Sequence, residues 1–360
     1  MKNRKVFVGL SGGVDSAVSA ALLKHEGYDV TGVFITIALP GYPCPAAEDR
    51  VEAMRVAAHL DIPFLEVNLS KEYEQEVFRP SVEEWQRGRT PNPDTLCNEK
   101  IKFGIFFDWC VEKGADFVAT GHYAQIKEPK GDTFQHKRCH LLTGVDREKD
   151  QTYFLWAVPE KKLQKTLFPV GGMQKSKVRA LAKKFGLPVA LRKDSQGLCF
   201  LGPISLEEMI EHEVPQTRGD VLSESGEVIG THKGVAHYTL GQRHGFELGA
   251  RDPGMPAHFV VAKDVTANTI TVSTSHVPRG KTRTKVVLSA ANWIGAVEDG
   301  ACEARFRYRQ KLIPAELKLS GALAEVELLE PYFVPEGQSL VLYRGDRCLG
   351  GGVVESATLT

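Results

Sequence analysis

No stretch of this 360-residue chain approaches the roughly 20 apolar residues needed to cross a bilayer, which excludes a transmembrane helix. The chain also lacks an excess of charge of either sign. Its 45 Lys and Arg balance 45 Asp and Glu, so any affinity for nucleic acid has to come from a local patch. Low-complexity tracts and internal repeats are absent, which excludes solenoid architectures and biased linkers. Seven cysteines, an odd number spread over the whole chain, do not suit a disulfide framework and fit a reducing cytosol. Met1 to Lys5 and the apolar residues after them have the outline of a signal peptide, but the run is too short and stops at Ser11-Gly12-Gly13. A cytoplasmic protein is therefore expected, with no membrane partner. Against these absences stands an ordinary globular composition, 42% hydrophobic and 25% charged, over a length that suits two or three domains.

The stretch that organises the chain is Gly9-Leu10-Ser11-Gly12-Gly13-Val14-Asp15-Ser16. An apolar run, Lys5 to Leu10, reads as a buried strand before it, and Val14 to His25 reads as a helix ending at Gly27. A strand, a glycine turn and a helix start leave backbone N–H groups unpaired, where the helix dipole favours an anion. Gly12 and Gly13 let the backbone approach an oxyanion, and Ser11 and Ser16 add hydroxyls. Asp15 is placed to hold Mg²⁺ or to fix the turn. No Gly-Lys-Ser/Thr follows, so the lysine that reaches the outer phosphates in kinases and GTPases is missing. Ser11 to Ser16 resembles the PP-loop of ATP pyrophosphatases, which split ATP between its α and β phosphates.

Strands at Asp29 to Ile37 and Pro63 to Leu69 alternate with a helix at Ala46 to Leu60, which predicts a parallel sheet with helices on both faces. Ligands in such sheets sit at the carboxyl ends of strands, so Ile35 is expected near the adenine of a nucleotide held on the loop. Lys71 to Arg87 reads as a long helix and Ile101 to Lys113 as another. Between them lies Gly88-Arg89-Thr90-Pro91-Asn92-Pro93-Asp94-Thr95-Leu96-Cys97-Asn98, whose two prolines predict a stiff, extended segment. Arg87, Arg89, Lys100 and Lys102 flank it and would lower a thiol pKa at Cys97, while Asp94 is placed to move a proton. The competing reading is a proline turn with a small buried cysteine.

Thr120-Gly121-His122-Tyr123 follows a strand at Ala115 to Thr120, where Gly121 would admit a nucleotide and His122 is either a base or a hydrogen-bonded core residue. Phe134 to Thr143 reads as a strand at a hairpin. Lys149, Asp150 and Gln151 precede an aromatic run and are free for a partner. From Lys161 to Lys193 there are ten Lys or Arg and no Asp or Glu, a stripe suited to a phosphate backbone. Cys199 sits in an apolar tail after a glycine turn. Alone it reads as core; paired with Cys97 it would be half of a redox couple. Beyond Gly202 a short helix, Leu206 to His212, gives way to short strands and turns, with a small β-barrel from Thr284 onward. Arg305, Arg307, Arg309 and Lys311 alternate, which predicts one cationic face of a strand.

The PP-loop, the Arg89 to Asn98 segment, Thr120 to Tyr123, Lys149 to Gln151 and Asp194 to Phe200 together resemble bacterial-type tRNA-specific 2-thiouridylases. Thr239-Leu240-Gly241-Gln242-Arg243, Arg307-Tyr308-Arg309-Gln310 and Cys348-Leu349-Gly350-Gly351-Gly352 continue the likeness over nearly the whole chain. The resemblance implies an α/β PP-loop domain over residues 1–201, a β-rich linking domain over 202–281 and a β-barrel over 282–360. It implies ATP with Mg²⁺ on Gly9 to Ser16, Ile35 and Gly121, with no resident metal. It implies Cys199 as persulfide carrier, Cys97 as the nucleophile that forms a disulfide with it, and Asp94 as acid/base. Asn92, Pro93 and Asp94 would meet the target base, and Lys149, Asp150, Gln151, Arg307 and Tyr308 would contact tRNA. The implied partners are tRNAs with a wobble uridine, such as the Lys, Glu and Gln acceptors, and a persulfide donor such as a cysteine desulfurase or relay protein. Where many relatives carry Met followed by Lys-Asn-Trp, this chain has Ile35 followed by Thr36, Ile37 and Ala38; where many have Thr it has Gln196, and its loop near Cys44 is shorter. Two other readings stay open: a PP-loop amidating or ligating synthetase, and a thiolase using an iron–sulfur cluster on Cys97, Cys199 and Cys44.

Overall fold

The computed structural model describes residues 4–42, 46–128, 138–194, 200, 202, 205–249, 256–277, 279–320 and 323–360. Alternating apolar strands and amphipathic helices at the start of the chain build a five-stranded parallel sheet. Its order is Phe64–Asn68, Asp29–Thr36, Lys5–Gly9, Phe117–Ala119 and Thr166–Leu167. Val6 and Val8 of the central strand face a helix layer that includes Val18, Val56 and Val178; Phe7 faces Val77, Trp85 and Phe106 on the other side. Lys5–Gly9 has a neighbour on each side reached by crossovers in opposite directions, so strand order reverses there. That reversal opens a crevice at the carboxyl ends, where such sheets bind ligands.

The long helix expected from Lys71 spans residues 70–86, with π-type turns at Glu74–Phe78. The segment expected to be stiff and extended is not. Its helix begins at Pro93 and runs to residue 112, with π-type turns over Cys97–Ile105. Pro93 sits at the first helical position, where a missing N–H costs nothing, and Asn92 caps the helix by accepting from Thr95 N at 3.1 Å. Pro91 alone enforces the extended approach. The hairpin strand is His140–Thr143, paired with Ala124–Lys127; residues 134–137 lie outside the described residues.

The middle sheet contains Gly219–Leu222, Val228–His232, Glu247–Leu248, Phe259–Asp264 and Thr269–Ser273 around Val221, Tyr238, Val260 and Ile270. The last six strands close an antiparallel barrel, Thr284–Trp293 pairing with both Leu323–Leu328 and Arg347–Leu359. The hairpin of the first domain adds to that barrel, with Leu141 and Leu142 pairing with Cys348 and Arg347. This joint carries the barrel to the mouth of the crevice. No helix among the described residues is long and apolar enough to cross a membrane.

Candidate active site

The loop Gly9–Ser16 floors a cavity of about 580 Å³ at the strand reversal. Gly13 occupies the cap position of helix Val14–His25 without a side-chain cap, which leaves the first-turn N–H groups directed at the cavity. Ser11 and Ser16 brace the turn, their hydroxyls 3.2 Å apart, with Ser16 Oγ donating to Gly13 O at 3.1 Å. Gly12 has φ +71°, and a Cβ there would fall 2.5 Å from Asp49 O. A Cβ on Gly121 would fall 2.7 Å from Ser16 N, so only glycine lets this strand end lie on the loop. Ile35 and Gly121 line the same cavity, as placed from sequence.

The lysine missing from the loop arrives from a distant helix. Lys175, in the first turn of Lys175–Lys184, places Nζ 2.8 Å from both oxygens of Asp15 and 2.8 Å from Asp194 Oδ1. Asp15 also accepts from Tyr123 OH at 2.8 Å, so its carboxylate fixes this network. Asp194 accepts from Lys149 Nζ at 2.8 Å and Arg179 at 2.6 Å. Partial burial pushes the Asp194 carboxyl up, but the Lys149 and Lys175 hydrogen bonds outweigh it and hold it well below the usual range. Arg192 donates to Gly12 O at 2.9 Å and pairs with Asp49. The basic stripe is thus partly consumed: Lys162, Lys175, Arg179 and Arg192 face carboxylates of the same molecule.

Asp94 and Asn98 reach the cavity from the helix start, Asn98 Nδ2 donating to Asp94 O at 2.9 Å. Cys97, three residues along, is 0% exposed, belongs to the apolar cluster that includes Trp85, Ile101 and Phe106, and does not line the cavity. Three of the cations expected to activate it are turned to carboxylates: Arg87 to Glu84, Arg89 to Glu84 and Glu355, Lys100 to Glu99. Lys102 lines the cavity. Cys44 and Cys199 lie outside the described residues; Phe200, next to Cys199, lines the cavity and meets Tyr73 edge-on at 6.3 Å. His122 is buried with Nδ1 2.7 Å from Thr120 Oγ1; burial, and then the charge of Lys102, push its pKa well down, so it stands neutral.

Lys149 and Gln151 line the cavity, and Gln151 Oε1 accepts from Tyr123 N at 3.0 Å. Asp150 between them is not free for a partner. It is 4% exposed and accepts from Arg305 Nη2 at 2.6 Å and Thr152 Oγ1 at 2.9 Å. The cationic strand face also differs from expectation. The strand ends at Arg305, which is buried; Arg307, Tyr308 and Arg309 form the following turn. Arg307 donates to Leu240 O at 2.6 Å, joining barrel to middle domain, while Tyr308 and Arg309 roof the cavity. Tyr308 packs against Phe154, their ring centroids 4.6 Å apart and the rings tilted by 45°. Lys175 and Arg192 gave no individual signal because their partners are remote in sequence; both belong to the 161–193 stripe, while Asp194, just beyond it, opens the Asp194 to Phe200 motif.

The comparisons with known proteins agree along the chain. Residues 4–203 match the family described as the tRNA methyl transferase HUP domain, 207–274 the tRNA methyl transferase PRC-barrel domain, and 283–354 the aminomethyltransferase beta-barrel domain. The tRNA-specific 2-thiouridylase of Enterococcus faecalis is 42% identical, over 98% of this chain and 96% of that one. Those of Streptococcus mutans and Bacillus licheniformis are 41% and 40% identical, each over 98% of this chain and 95% of the relative. On this full-length identity, and on a PP-loop α/β domain followed by two β domains in the same order, the chain belongs to the tRNA-specific 2-thiouridylase family.

Proposed function

We propose that this protein converts the wobble uridine of tRNA to 2-thiouridine, using ATP to activate the 2-oxo group and a cysteine persulfide to replace it. The observation that carries the reading is one cavity lined by the PP-loop, by Asp94 and Asn98, and by Tyr308 and Arg309 of the barrel. A uridine carbonyl oxygen is a poor leaving group. Transfer of AMP from ATP to that oxygen makes it a good one and frees pyrophosphate, whose charge falls on the loop amides and the lysines around Asp194. Mg²⁺ bound with the triphosphate would supply counter-charge there; in the free protein Asp15 is engaged by Lys175 and Tyr123. Among the described residues no cluster of three or more metal-ligating side chains competes for that role.

Sulfur delivery follows the family resemblance. Cys199 carries the persulfide, and the Cys97 thiolate attacks its inner sulfur. The hydrosulfide released adds to C2, AMP departs with the former carbonyl oxygen, and a Cys97–Cys199 disulfide is left for a cellular thiol to reduce. Asp94 is the acid/base at the base, Asn92 and Pro93 flank it, and Lys149, Gln151, Arg307 and Tyr308 touch the RNA. The substrates are wobble-uridine tRNAs of the Lys, Glu and Gln class, and the sulfur donor is a desulfurase or persulfide relay. A synthetase acting on a small acceptor would not need aromatic and cationic side chains of a second domain over its nucleotide loop.

Mass spectrometry of tRNA nucleosides after reaction with ATP and a persulfide donor tests the proposal. The expected product is 2-thiouridine at the wobble position, lost with Cys199→Ser while tRNA still binds. Pyrophosphate release that proceeds without tRNA, on a small acceptor, would sink it.

A further inference from the structure

The helix that carries Asp94 and Cys97 is reached through a short tether, Gly88 to Asn92, and both later domains grip it. From the middle domain, Lys263 Nζ donates to Gly88 O at 2.5 Å and to Tyr238 O at 2.7 Å. Gly88 has φ +75°, and a Cβ there would fall 2.3 Å from Val265 Cγ2, so the start of the tether is seated against the turn after strand Phe259–Asp264. Thr90 Oγ1 lies 3.3 Å from Thr239 Oγ1. From the barrel, Glu336 O accepts from Thr90 N at 2.8 Å, Arg89 reaches Glu355, and Gln338 Oε1 accepts from Asn92 Nδ2 at 3.2 Å. Among the described residues Lys263 makes no ion pair. Burying an ammonium group without a contacting carboxylate is costly, and an apolar side chain would fill the space without that cost. What the ammonium adds is a bond to two carbonyls of different domains.

We propose that Lys263 is a positioning residue for thiolation: its ammonium locks the middle domain to the Gly88–Asn92 tether, so that RNA seated on that domain sets where Asp94 and Cys97 stand over the target base. This rests on the reading of Asp94 and Cys97 as the acting groups. The lock has a titration of its own. Burial lowers the Lys263 pKa to about 8, opposed by Glu336 on the barrel turn. Neighbouring polar groups are engaged elsewhere: Arg89 by Glu84 and Glu355, Asp264 by Ala267 N, and the Tyr238 hydroxyl by Gly245 O. The charged form, present below that pKa, holds both carbonyls. The neutral amine above it holds them weakly, so the lock loosens as pH rises.

The test is thiolation by the full-length protein at saturating tRNA and ATP, between about pH 6.5 and 9.5, for wild type, K263M, K263R and E336Q. Wild-type kcat should decline with an apparent pKa near 8. K263M should turn over about tenfold more slowly, with no such decline and an unchanged KM for ATP. K263R, which cannot deprotonate, should restore the rate and lack the decline, and E336Q should move it to lower pH by about 0.3 unit. K263M at the wild-type rate, or K263R with the wild-type decline, overturns the proposal. If K263M does not fold, a decline unmoved in both K263R and E336Q overturns it. D94N assayed in parallel separates the two failures. D94N at the wild-type rate removes the site reading itself; an inactive D94N beside an unaffected K263M removes the positioning role alone.

Discussion

Lys175 Nζ sits 2.8 Å from both carboxylate oxygens of Asp15, joining the fifth residue of the PP-loop motif to a helix 160 residues away. The loop lacks the lysine that other nucleotide loops carry within their own motif, and the fold brings Lys175 to it from outside. Asp15 and Asp194, which both line the cavity, hold the ammonium between them. In the proposed reaction this cation would stand near the charge that develops on the departing pyrophosphate, and a fixed charge so placed lowers a barrier.

Lys175→Met should therefore slow tRNA-dependent pyrophosphate release by about 10²-fold, in line with removal of one pre-organised electrostatic group. Affinity for tRNA should stay within about threefold, since Lys175 is turned inward to Asp15 and Asp194. Rapid-quench measurement of pyrophosphate beside a filter-binding titration separates the two effects. A variant with wild-type release would leave Lys175 as a structural brace.

Gly121→Ala should weaken nucleotide binding at least about tenfold, because its Cβ would press on Ser16 N at 2.7 Å and Asp15 C at 2.8 Å, and backbone cannot step aside as a side-chain tip can. Gly172→Ala is the matched control, its Cβ meeting nothing nearer than Gln125 Oε1 at 3.9 Å. Calorimetric titration with a non-hydrolysable ATP analogue compares them. Equal affinities would show that the loop tolerates displacement.

Cys97 is buried in the free protein, so its reaction with a thiol reagent should be slow and should rise at least about tenfold when tRNA and an ATP analogue are bound together. The other described cysteines supply the baseline, since burial pushes Cys139 and Cys348 up to about 12 and Cys302 to about 11. Mass spectrometry of peptides after timed alkylation reads each site separately. Rapid alkylation of Cys97 in the unliganded protein would contradict the burial.

Sequence exposed the parts of the site that are contiguous and hid those that converge. Gly9 to Ser16 was legible because strand, turn and helix dipole act within eight residues, and Ile35 and Gly121 followed from the rule that ligands sit at strand ends. The two prolines around Asn92 misled because a proline is read as a helix breaker, yet Pro93 occupies the one helical position that needs no N–H. Period-two spacing from Arg305 to Lys311 also misled, since nothing local marks a strand end whose last residue turns inward to a remote carboxylate. Lys175 could be suspected only as a member of the charge-biased 161–193 segment, because Asp15 and Asp194 meet it only in the fold.

Asp150 and Arg305 supply a stability test of the joint between the first domain and the barrel. Both are buried, and Arg305 also donates to Tyr343 OH at 2.7 Å, so the guanidinium is satisfied on several sides. Arg305→Met leaves an unpaired carboxylate in the interior and should cost about 3–5 kcal/mol. Asp150→Asn leaves the guanidinium without its carboxylate but keeps acceptors at Tyr343, and should cost less. The double variant removes the stranded charge and should recover much of the loss, the non-additivity expected of two groups in one hydrogen-bonded contact. Urea unfolding of the four proteins gives the cycle. Strict additivity would mean that the 2.6 Å contact is not what ties Lys149 and Gln151, on either side of Asp150, to the barrel that roofs the cavity.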